Sequence, residues 1–289
     1  SLGTICDVVP LVGLNRAIVY QGLKVLKTKK NLGLKTLIDI CGIETRPNIY
    51  HVGYVLGPRI NAGGRVGKSS HGANLLLKES PKDVFKIATE LDQFNKERQY
   101  LENDVLEKIN KKINLNSSDP VIIISGKNWH EGVIGIVASR IKDKFNKPVI
   151  IISINNNIGK ASARSTIGFD IGSAIIAATQ ENILIKGGGH KMAGGFSIKI
   201  ENIDKFKNFF KRWFKNINAD ITKEKPIFLD DVISPSAINL EFFNKVALLS
   251  PFGPGNPEPK FAIEDLKTIN GKIVGEKHIK STLLGKDGS

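Results

Sequence analysis

Cysteine, long apolar runs and acidic charge are all scarce in this sequence. Its two cysteines, Cys6 and Cys41, show neither a CxxC nor a Cys/His metal spacing, which argues against a disulfide-built secreted fold. The longest apolar runs, such as residues 121–124 and 148–152, are as long as strands and fall far short of the ~20 residues that a membrane helix needs. No signal peptide is visible, so we expect a cytoplasmic protein with no membrane partner.

Acidic residues are in the minority, since 42 Lys and Arg outnumber 28 Asp and Glu and give a formal net charge of +14. This excess favours a polyanionic partner such as nucleic acid, although a solvated basic surface would carry the same charge. Part of the excess also accompanies abundant Asn and Ile, which is typical of an AT-rich coding sequence. The 289 residues, 41% of them hydrophobic, suffice for two or three domains.

The hydrophobic pattern predicts an α/β chain made of several parts. Residues 1–80 mix short apolar runs with glycine, as in the late part of an α/β domain, and their LGTIC segment has the pattern of a strand. Apolar residues in 3-and-4 spacing predict a connecting helix over residues 81–115, with Ser80 as N-cap and Pro81 in its first turn. A helix of ~30 residues spans ~45 Å, so it is predicted to join two domains.

Two further parts follow this helix. Residues 118–218 predict a compact β-α-β-β-α-β-α domain with a glycine-rich turn before its last strand. Residues 226–289 predict short strands between Pro and Gly turns, with one helix near residues 239–249, as at the start of a small β-barrel. Because the chain starts with Ser1 and stops just after a strand-like run, we expect a piece cut at both ends.

Two candidate sites lie in the first part of the chain. Asp7 follows the strand-like run, and a carboxylate at a strand end can reach a site over the sheet edge, although a lone Asp is more often a cap or turn residue. The segment GPRINAGGRVG presents Arg59, Asn61 and Arg65 between glycines, which let a backbone approach a ligand closely. Because arginine donates paired hydrogen bonds to phosphate, this segment indicates a phosphate contact as readily as a surface turn.

Further candidates lie in the predicted α/β domain. Strand alternation places Ser162 and Arg164 on one face, next to Ser165, and a hydroxyl beside a guanidinium suits a terminal phosphate. Three successive glycines predict an anion-binding turn with His190 at its rim. His130 precedes a helix start, from which it could face a pocket or cap the helix.

Six segments together resemble a known family. Their order and spacing resemble RecJ, a family of single-stranded-DNA-specific exonucleases in the DHH phosphoesterase superfamily, over nearly the whole chain. WHEGVIGIVASR and PFGPGNPEP point to RecJ itself, whereas GGGH and the aspartate segment are shared with other DHH phosphoesterases. The six segments are GTICDVVPL, LGPRINAGGRVG, NWHEGVIGIVASR, KASARS, GGGHKMAGG and SPFGPGNPEPKF.

The resemblance implies a fold, a reaction and partners. The fold would be the late part of a DHH catalytic domain, a long connecting helix, an α/β DHH-associated domain and a partial OB-fold β-barrel, around a DNA channel. The reaction would be 5′ to 3′ hydrolysis of single-stranded DNA in repair and recombination, with two manganese or magnesium ions activating water. The resemblance also suggests a single-strand-binding protein and a helicase as partners.

The resemblance also assigns roles to the candidate residues. Asp7 matches the last metal-binding aspartate of the family, and Ser162 and Arg164 match its pocket for the 5′ phosphate. His190, the candidate catalytic residue, and the two glycines before it match the motif that faces the active site. The other candidate substrate-binding residues are Gly188, Gly189, Ser165 and His130, together with Arg59, Asn61 and Arg65 in a loop beside the nucleotide path.

The sequence also departs from the family. The upstream DxD segment, the following aspartate and the DHH triplet do not occur in it, so we expect this chain alone to lack a two-metal centre and nuclease activity. Ala161 occupies a position that usually holds glycine. Two other interpretations stay open: a non-catalytic single-stranded-DNA-binding remnant of such an enzyme, and another DHH phosphoesterase acting on short oligonucleotides.

Overall fold

The structure is a computed structural model with two compact units, one formed by Ser1–Gly57 with Lys225–Ser289 and the other by Pro58–Glu224. Among the described residues, no helix is both long and apolar enough to cross a membrane. The ends predicted at residues 115, 118, 218 and 289 lie outside the described residues. The described residues are 1–113, 119–216, 226–275, 278–286 and 288.

The described residues contain helices α1 to α10 and strands β1 to β9. The helices are α1 (Leu2–Cys6), α2 (Gly13–Lys27), α3 (Leu32–Ile40), α4 (Gly57–Val66), α5 (His71–Leu77), α6 (Pro81–Asn110), α7 (Glu131–Phe145), α8 (Ile171–Gln180), α9 (Ile203–Asn216) and α10 (Leu240–Ala247). A π-helical segment, His51–Leu56, runs directly into α4. The strands are β1 (Ile122–Lys127), β2 (Val149–Asn155), β3 (Ile158–Arg164), β4 (Lys186–His190), β5 (Ala193–Lys199), β6 (Asp231–Val232), β7 (Phe261–Ala262), β8 (Lys267–Val274) and β9 (His278–Leu284).

The strand expected at LGTIC is a helix, α1, so that expectation was wrong. The backbone N–H of Ile5 donates to the carbonyl of Ser1, and that of Asp7 donates to the carbonyl of Gly3. Periodicity cannot separate helix from strand over so short an apolar run, which is why the pattern misled. Asp7 therefore stands at the C-terminal cap of a helix and not at the end of a strand.

The segment expected to be a loop around Arg59 and Arg65 is helix α4, which also corrects the sequence prediction. Its glycines serve helix packing instead of a turn. A Cβ on Gly63 would lie 3.3 Å from a methyl of Leu91 in α6, and one on Gly67, just past α4, would lie 2.5 Å from the ring of Phe94. Without those side chains α6 can approach closely, so glycine here marks a tight contact between elements.

A helix begins at Pro81 as predicted, and it is α6. It lies within the unit Pro58–Glu224, and its role as a connector between two domains stays a prediction. Proline fits its first turn because no intrahelical partner is needed there, and Oγ of Ser80 accepts a hydrogen bond from the N–H of Asp83 at 3.4 Å. One side of α6 is buried along its whole length. The buried positions are Val84, Ala88, Leu91, Asn95, Arg98, Glu102, Val105 and Ile109.

Residues 119–216 form one five-stranded sheet with the order β1-β2-β3-β5-β4. Strands β1 and β2 are parallel and joined through α7, and the remaining neighbours are antiparallel. The glycine-rich segment predicted as an anion-binding turn is strand β4, in which Gly188 and Gly189 pair with Gly195 and Gly194 of β5. A Cβ on Gly189 would overlap the carbonyl of Ala193, so glycine permits close strand pairing there.

Helices cover both faces of this sheet and give two apolar clusters. Alternate residues of β2 point to opposite sides: Ile150 and Ile152 join α8 and α9, whereas Val149 and Ile151 join α6 and α7. A strand buried on both faces is apolar at every position, as the Val-Ile-Ile-Ile run at residues 149–152 shows. The cluster beneath α9 is rich in phenylalanine, with Phe206 fully buried.

Residues 226–289 contain the predicted helix, α10, and short strands. Strands β6 and β7 pair in parallel, and β8 and β9 pair antiparallel with an irregularity between Ile269 and Lys272. Only Pro251 and Gly285 are buried among the described residues of this segment. Its strands thus form two small separate sheets.

Candidate nucleic-acid interface

Strand β3 places Ser162 and Arg164 on one face, as the alternation predicts. Ala161 and Ala163 are buried on the opposite face, where α8 and α9 pack. Helix α7 lies over the face of the serine and the arginine. A Cβ on Gly135 of α7 would lie 3.1 Å from both Nη2 of Arg164 and Oγ of Ser162, so the absence of a side chain lets the helix approach them.

The Arg164 guanidinium is held in place by neutral groups. Its Nε donates to Oγ of Ser139 at 3.1 Å, and its Nη1 donates to Oγ of Ser162 at 3.1 Å and to the carbonyl of Ala163 at 2.8 Å. Nη2 has no hydrogen-bond partner among the described residues, and no described carboxylate forms an ion pair with this arginine. Burial, followed by the positive charge of Arg65, lowers the pKa of Arg164. A half-buried cation without a counter-charge is suited to binding an anion.

The same face of the sheet continues without bulky side chains toward His190. Paired residues of neighbouring strands project to the same side, so Arg164, Ala193 and His190 form one row across β3, β5 and β4. Ser162, Gly195 and Gly188 form the next row, and a Cβ on Gly188 would meet nothing within 4 Å. With strands about 4.8 Å apart, His190 stands roughly 10 Å from Arg164 along this row.

The His190 imidazole is exposed at the end of β4. Its Nδ1 accepts a hydrogen bond from the N–H of Met192 at 3.3 Å, which fixes the ring at the turn into β5. A Cβ on Gly172, in the first turn of α8, would lie 2.9 Å from the backbone of His190. Glycine there lets α8 support the end of β4, and the catalytic role of His190 stays a prediction.

Arg65, a residue of α4, contacts the first turn of helix α7. Its Nη1 donates to the carbonyl of Gly132 at 3.3 Å, and a Cβ on Gly132 would overlap the carbonyl of Arg65 itself. His130 is the N-cap of α7, and its Nδ1 accepts from the N–H of Gly132 at 3.1 Å. Of the two roles considered for His130, the structure shows the capping one. Arg65, which also lowers the pKa of Arg164, thus adds positive charge close to that side chain.

Arg59 and Asn61 differ in how they are held on α4. Nε of Arg59 lies 2.8 Å from Oδ1 of Asp92, and Nζ of Lys96 lies 2.8 Å from Oδ2 of the same carboxylate. Although burial opposes ionisation, the hydrogen bonds from Lys96 and Arg59 hold the pKa of Asp92 below its usual value. Arg59 therefore has a partner that fixes it within the fold, whereas the Asn61 side chain is exposed.

Ser165 does not share the environment of Ser162. It is almost fully buried, and its Oγ donates to the carbonyl of Phe169 at 2.6 Å. Its backbone N–H donates to the carbonyl of Met192 at 2.9 Å. The hydroxyl helps to close the turn after β3, and a substrate-binding role for Ser165 stays a prediction.

Sequence reasoning missed a buried ionic network on α6. Glu102 is completely buried, with Nη1 of Arg98 2.8 Å from its Oε2 and Nε of Arg140 2.5 Å from its Oε1. Burial lowers the pKa of Arg98, while the charge of Glu102 opposes that effect and the charges of Arg65, Arg140 and Arg59 add to it. The signal was present, because Arg98 and Glu102 continue the apolar 3-and-4 spacing of α6.

Asp7 lies in the other compact unit, exposed at the end of α1. Burial, and secondly the charge of Asp7, raises the pKa of the Cys6 thiol. Carboxylate oxygens suit manganese and magnesium. Among the described residues, however, no group of three or more His, Cys, Asp or Glu side chains could hold a metal ion. The described residues thus do not fit a two-metal centre, and metal binding by Asp7 stays a prediction.

Two domain families match parts of the chain. A DHHA1 domain matches residues 118–216, which include β3 and its neighbours, and a RecJ OB domain matches residues 229–289. The PFGPGNPEP segment, which pointed to RecJ, lies inside the second match. These matches confirm the mixed α/β fold with a DHH-associated domain and an OB domain.

Curated relatives and solved structures extend the likeness to the whole chain. The chain is 33% identical to the single-stranded-DNA-specific exonuclease RecJ of Bacillus subtilis over 98% of its own length and 36% of that protein. It is 33% identical to RecJ of Haemophilus influenzae over 100% of its own length and 52% of that protein. The crystal structure of RecJ in complex with Mn²⁺ from Thermus thermophilus superposes with a TM-score of 0.85, at 30% identity, over 100% of this chain and 43% of that one.

These relatives are longer than the chain, which spans 36% and 52% of the two curated proteins. Within that span, sequence, domain content and fold agree on one assignment. The chain belongs to the RecJ family.

Proposed function

We propose that this chain is part of an exonuclease that degrades single-stranded DNA from its 5′ end in repair and recombination, and that Ser162 and Arg164 receive the terminal 5′ phosphate. The observation that carries the proposal is the Arg164 guanidinium. It is half-buried, fixed by three hydrogen bonds, and without a carboxylate partner in the described part of the chain.

The chemistry of a chain end supports this assignment. A terminal phosphate carries about one more negative charge than an interior phosphodiester, together with one more free oxygen. A guanidinium presents donors in a fixed planar arrangement, and the neighbouring hydroxyl of Ser162 supplies a further hydrogen-bonding group. Such a pair distinguishes an end from the interior of a strand.

The surroundings of Arg164 support an approaching DNA end. Arg65 adds positive charge, and the rows of glycine and alanine on β5 and β4 leave space on the same face. We assign Gly188, Gly189 and the exposed Asn61 to contacts with the strand, with Arg59 as a supporting cation. His190, at the end of the open row, is the proposed catalytic residue.

The proposed reaction is hydrolysis of a phosphodiester with the help of manganese or magnesium, and Asp7 is the proposed ligand from this chain. RecJ structures have been solved with Mg²⁺ and with Mn²⁺. Because the proposed substrate is single-stranded, we also propose a helicase that separates duplexes and a single-strand-binding protein as partners. The proposed location is the cytoplasm, where bacterial chromosomal DNA lies.

The test is the preference of the 289-residue chain for a 5′-phosphorylated over a 5′-hydroxyl oligonucleotide, measured by fluorescence anisotropy. Hydrogen bonds to charged groups contribute about 1.5–3 kcal/mol, so Arg164→Ala should weaken binding of the phosphorylated strand by about 10- to 150-fold. Binding of the 5′-hydroxyl strand should change much less. Raising the salt concentration should weaken both, because phosphate contacts release counterions.

Arg212→Ala provides the matched control, since it removes the same charge from an exposed position on α9. Arg164→Lys separates charge from geometry, because lysine keeps the charge and loses the planar set of donors. Equal losses for the two oligonucleotides, with the melting temperature unchanged, would contradict the phosphate-pocket role. An equal loss of preference in Arg212→Ala would show a diffuse charge effect instead.

A further inference from the structure

A cleft of about 600 Å³ lies in the unit formed by Ser1–Gly57 with Lys225–Ser289. Three elements line it: helix α2, the chain on either side of the start of the π-helical segment, and the loop from Ser250 to Glu258. Its volume is that of a site for a small molecule or for a few groups of a polymer. Its lining combines aromatic rings with basic side chains.

The aromatic part of the cleft contains three exposed tyrosines in addition to Phe252. The rings of Tyr50 and Tyr54 stack on each other with centroids 5.5 Å apart and planes at 26°. The exposed fractions are 61% for Tyr50, 73% for Tyr54 and 51% for Tyr20. Large aromatic side chains prefer burial, so three rings that share a cleft and stay exposed offer flat apolar faces to a ligand.

The basic part of the cleft lies beside these rings. Nζ of Lys24 is 4.2 Å from the ring centroid of Tyr20, and Lys27 and Arg46 also line the cleft. None of these three cations forms an ion pair with a carboxylate that the structure describes. Glu258 is the acidic residue of the lining, so the cleft carries three positive charges against one negative charge.

We propose that this cleft binds single-stranded DNA, with bases stacked on Tyr50 and Tyr54 and phosphates held by Lys24, Lys27 and Arg46. Proteins bind single strands by combining aromatic platforms with a basic groove that follows the phosphates. A purely apolar partner would leave the three cations unpaired, and a simple anion would leave the rings unused. The identification of the polymer as single-stranded DNA rests on the proposed function. The cleft is a second site, because it lies in one compact unit whereas Ser162 and Arg164 lie in the other.

The test compares two strands of equal length and charge, one of thymidine and one of abasic sugar-phosphate units, binding to the 289-residue chain. Loss of one stacked base costs about 5- to 150-fold in affinity, so Tyr54→Ala should weaken the thymidine strand by at least about fivefold. The abasic strand should bind the two proteins equally. Tyr54→Phe keeps the ring and should restore the affinity.

Tyr100→Ala is the matched control, since Tyr100 is 73% exposed, as Tyr54 is, and lies on α6 in the other unit. It should change neither affinity. Lys27→Ala should weaken the thymidine and abasic strands by the same factor, because it removes a phosphate contact and no stacking surface.

Unchanged thymidine binding in Tyr54→Ala, or an equal loss for the abasic strand, overturns the proposal. The phosphate pocket and the cleft can be tested independently, because Tyr54→Ala should leave the preference for a 5′-phosphorylated strand intact. If that preference is absent from the unaltered chain while Tyr54 still matters for bases, the pocket fails and the cleft stands. If the unaltered chain binds neither strand at low salt, both proposals fail.

Discussion

Helix α9 buries its apolar side chains, whereas helix α10 leaves most of its own in solvent. Both sequences place apolar residues at helical spacing along one side. Phe206 and Phe210 of α9 are fully buried, while Leu240 and Phe243 of α10 are 80% and 66% exposed. The difference lies in what each helix meets: α9 packs on a five-stranded sheet, and α10 belongs to a segment whose strands form two small separate sheets.

The comparison teaches that an amphipathic pattern identifies the side of a helix that burial would favour, while a facing surface decides whether burial occurs. Phe206 contacts Phe196 of β5 with ring centroids 4.7 Å apart. On α10, Phe242 has one described ring contact, with Phe261 at 5.1 Å. Substitutions in the two helices should therefore differ sharply in their effect on stability.

The largest effect is expected from Phe206→Ala, which removes a ring from the centre of the cluster beneath α9. Truncation of a buried phenylalanine costs about 3–5 kcal/mol of unfolding free energy, because transfer energy is lost and a cavity remains. Both tryptophans of the chain, Trp129 and Trp213, lie in this domain, so tryptophan fluorescence during urea unfolding reports on it selectively. A loss below about 1 kcal/mol would show that α9 is not packed as described.

A smaller effect is expected at the start of α8, where the Asp170 carboxylate accepts from the N–H of Ser173 at 3.0 Å. Asp170→Ala should cost about 0.5–2 kcal/mol, and Asp170→Asn, which keeps an acceptor, much less. The hydrogen bond from the Ser173 backbone lowers the pKa of Asp170. The part of the stabilisation that depends on the ionised carboxylate is therefore complete above the unfolded-state pKa of about 3.9 and is lost as the pH falls through the lower folded-state value.

The pH dependence of stability shows whether Asp170 stabilises α8 through its charge or only through packing. Urea midpoints of the unaltered chain and Asp170→Ala, measured by tryptophan fluorescence, should lie closer together at about pH 3 than at neutral pH. The same difference at both values would contradict the role of the ionised carboxylate.

The smallest effect is expected from Phe243→Ala on α10. Substitution of a mostly exposed side chain changes stability by about 0.5 kcal/mol or less, so thermal unfolding followed by circular dichroism should be nearly unchanged. A loss above about 1 kcal/mol would break the comparison, since it would require a covering surface for α10 in solution. Repeating the measurement at several protein concentrations would then show whether a second copy of the chain supplies it.

Sequence patterns predicted well where an element depends on its own residues. Ser80 and Pro81 marked the start of α6 because capping and the missing proline N–H act within one turn. The alternation in β3 placed Ser162 and Arg164 together because side chains of a strand alternate regardless of its neighbours. The uniformly apolar run at residues 149–152 predicted strand β2 for a similar local reason.

Sequence patterns failed where a residue acts through a distant part of the chain. The glycines around Arg65 suggested a loop, but they let α4 pack against α6. The glycines before His190 suggested an anion-binding turn, but they pair with the glycines of β5 across a sheet. A glycine in the sequence is compatible with a turn and with a close packing contact. The residues that surround it in space, and not its sequence context, distinguish the two.

The sequence by itself determined the resemblance to RecJ, the long helix that begins at Pro81 and the strand that carries Ser162 and Arg164. The tertiary structure decided which cations share a site and which tyrosines share a cleft. It placed Arg65, from α4, near Arg164, from β3, and it fixed Arg164 with neutral partners. Charge and aromatic residues can be counted in a sequence, but electrostatic interaction and stacking depend on distances of a few ångström, which only chain packing sets.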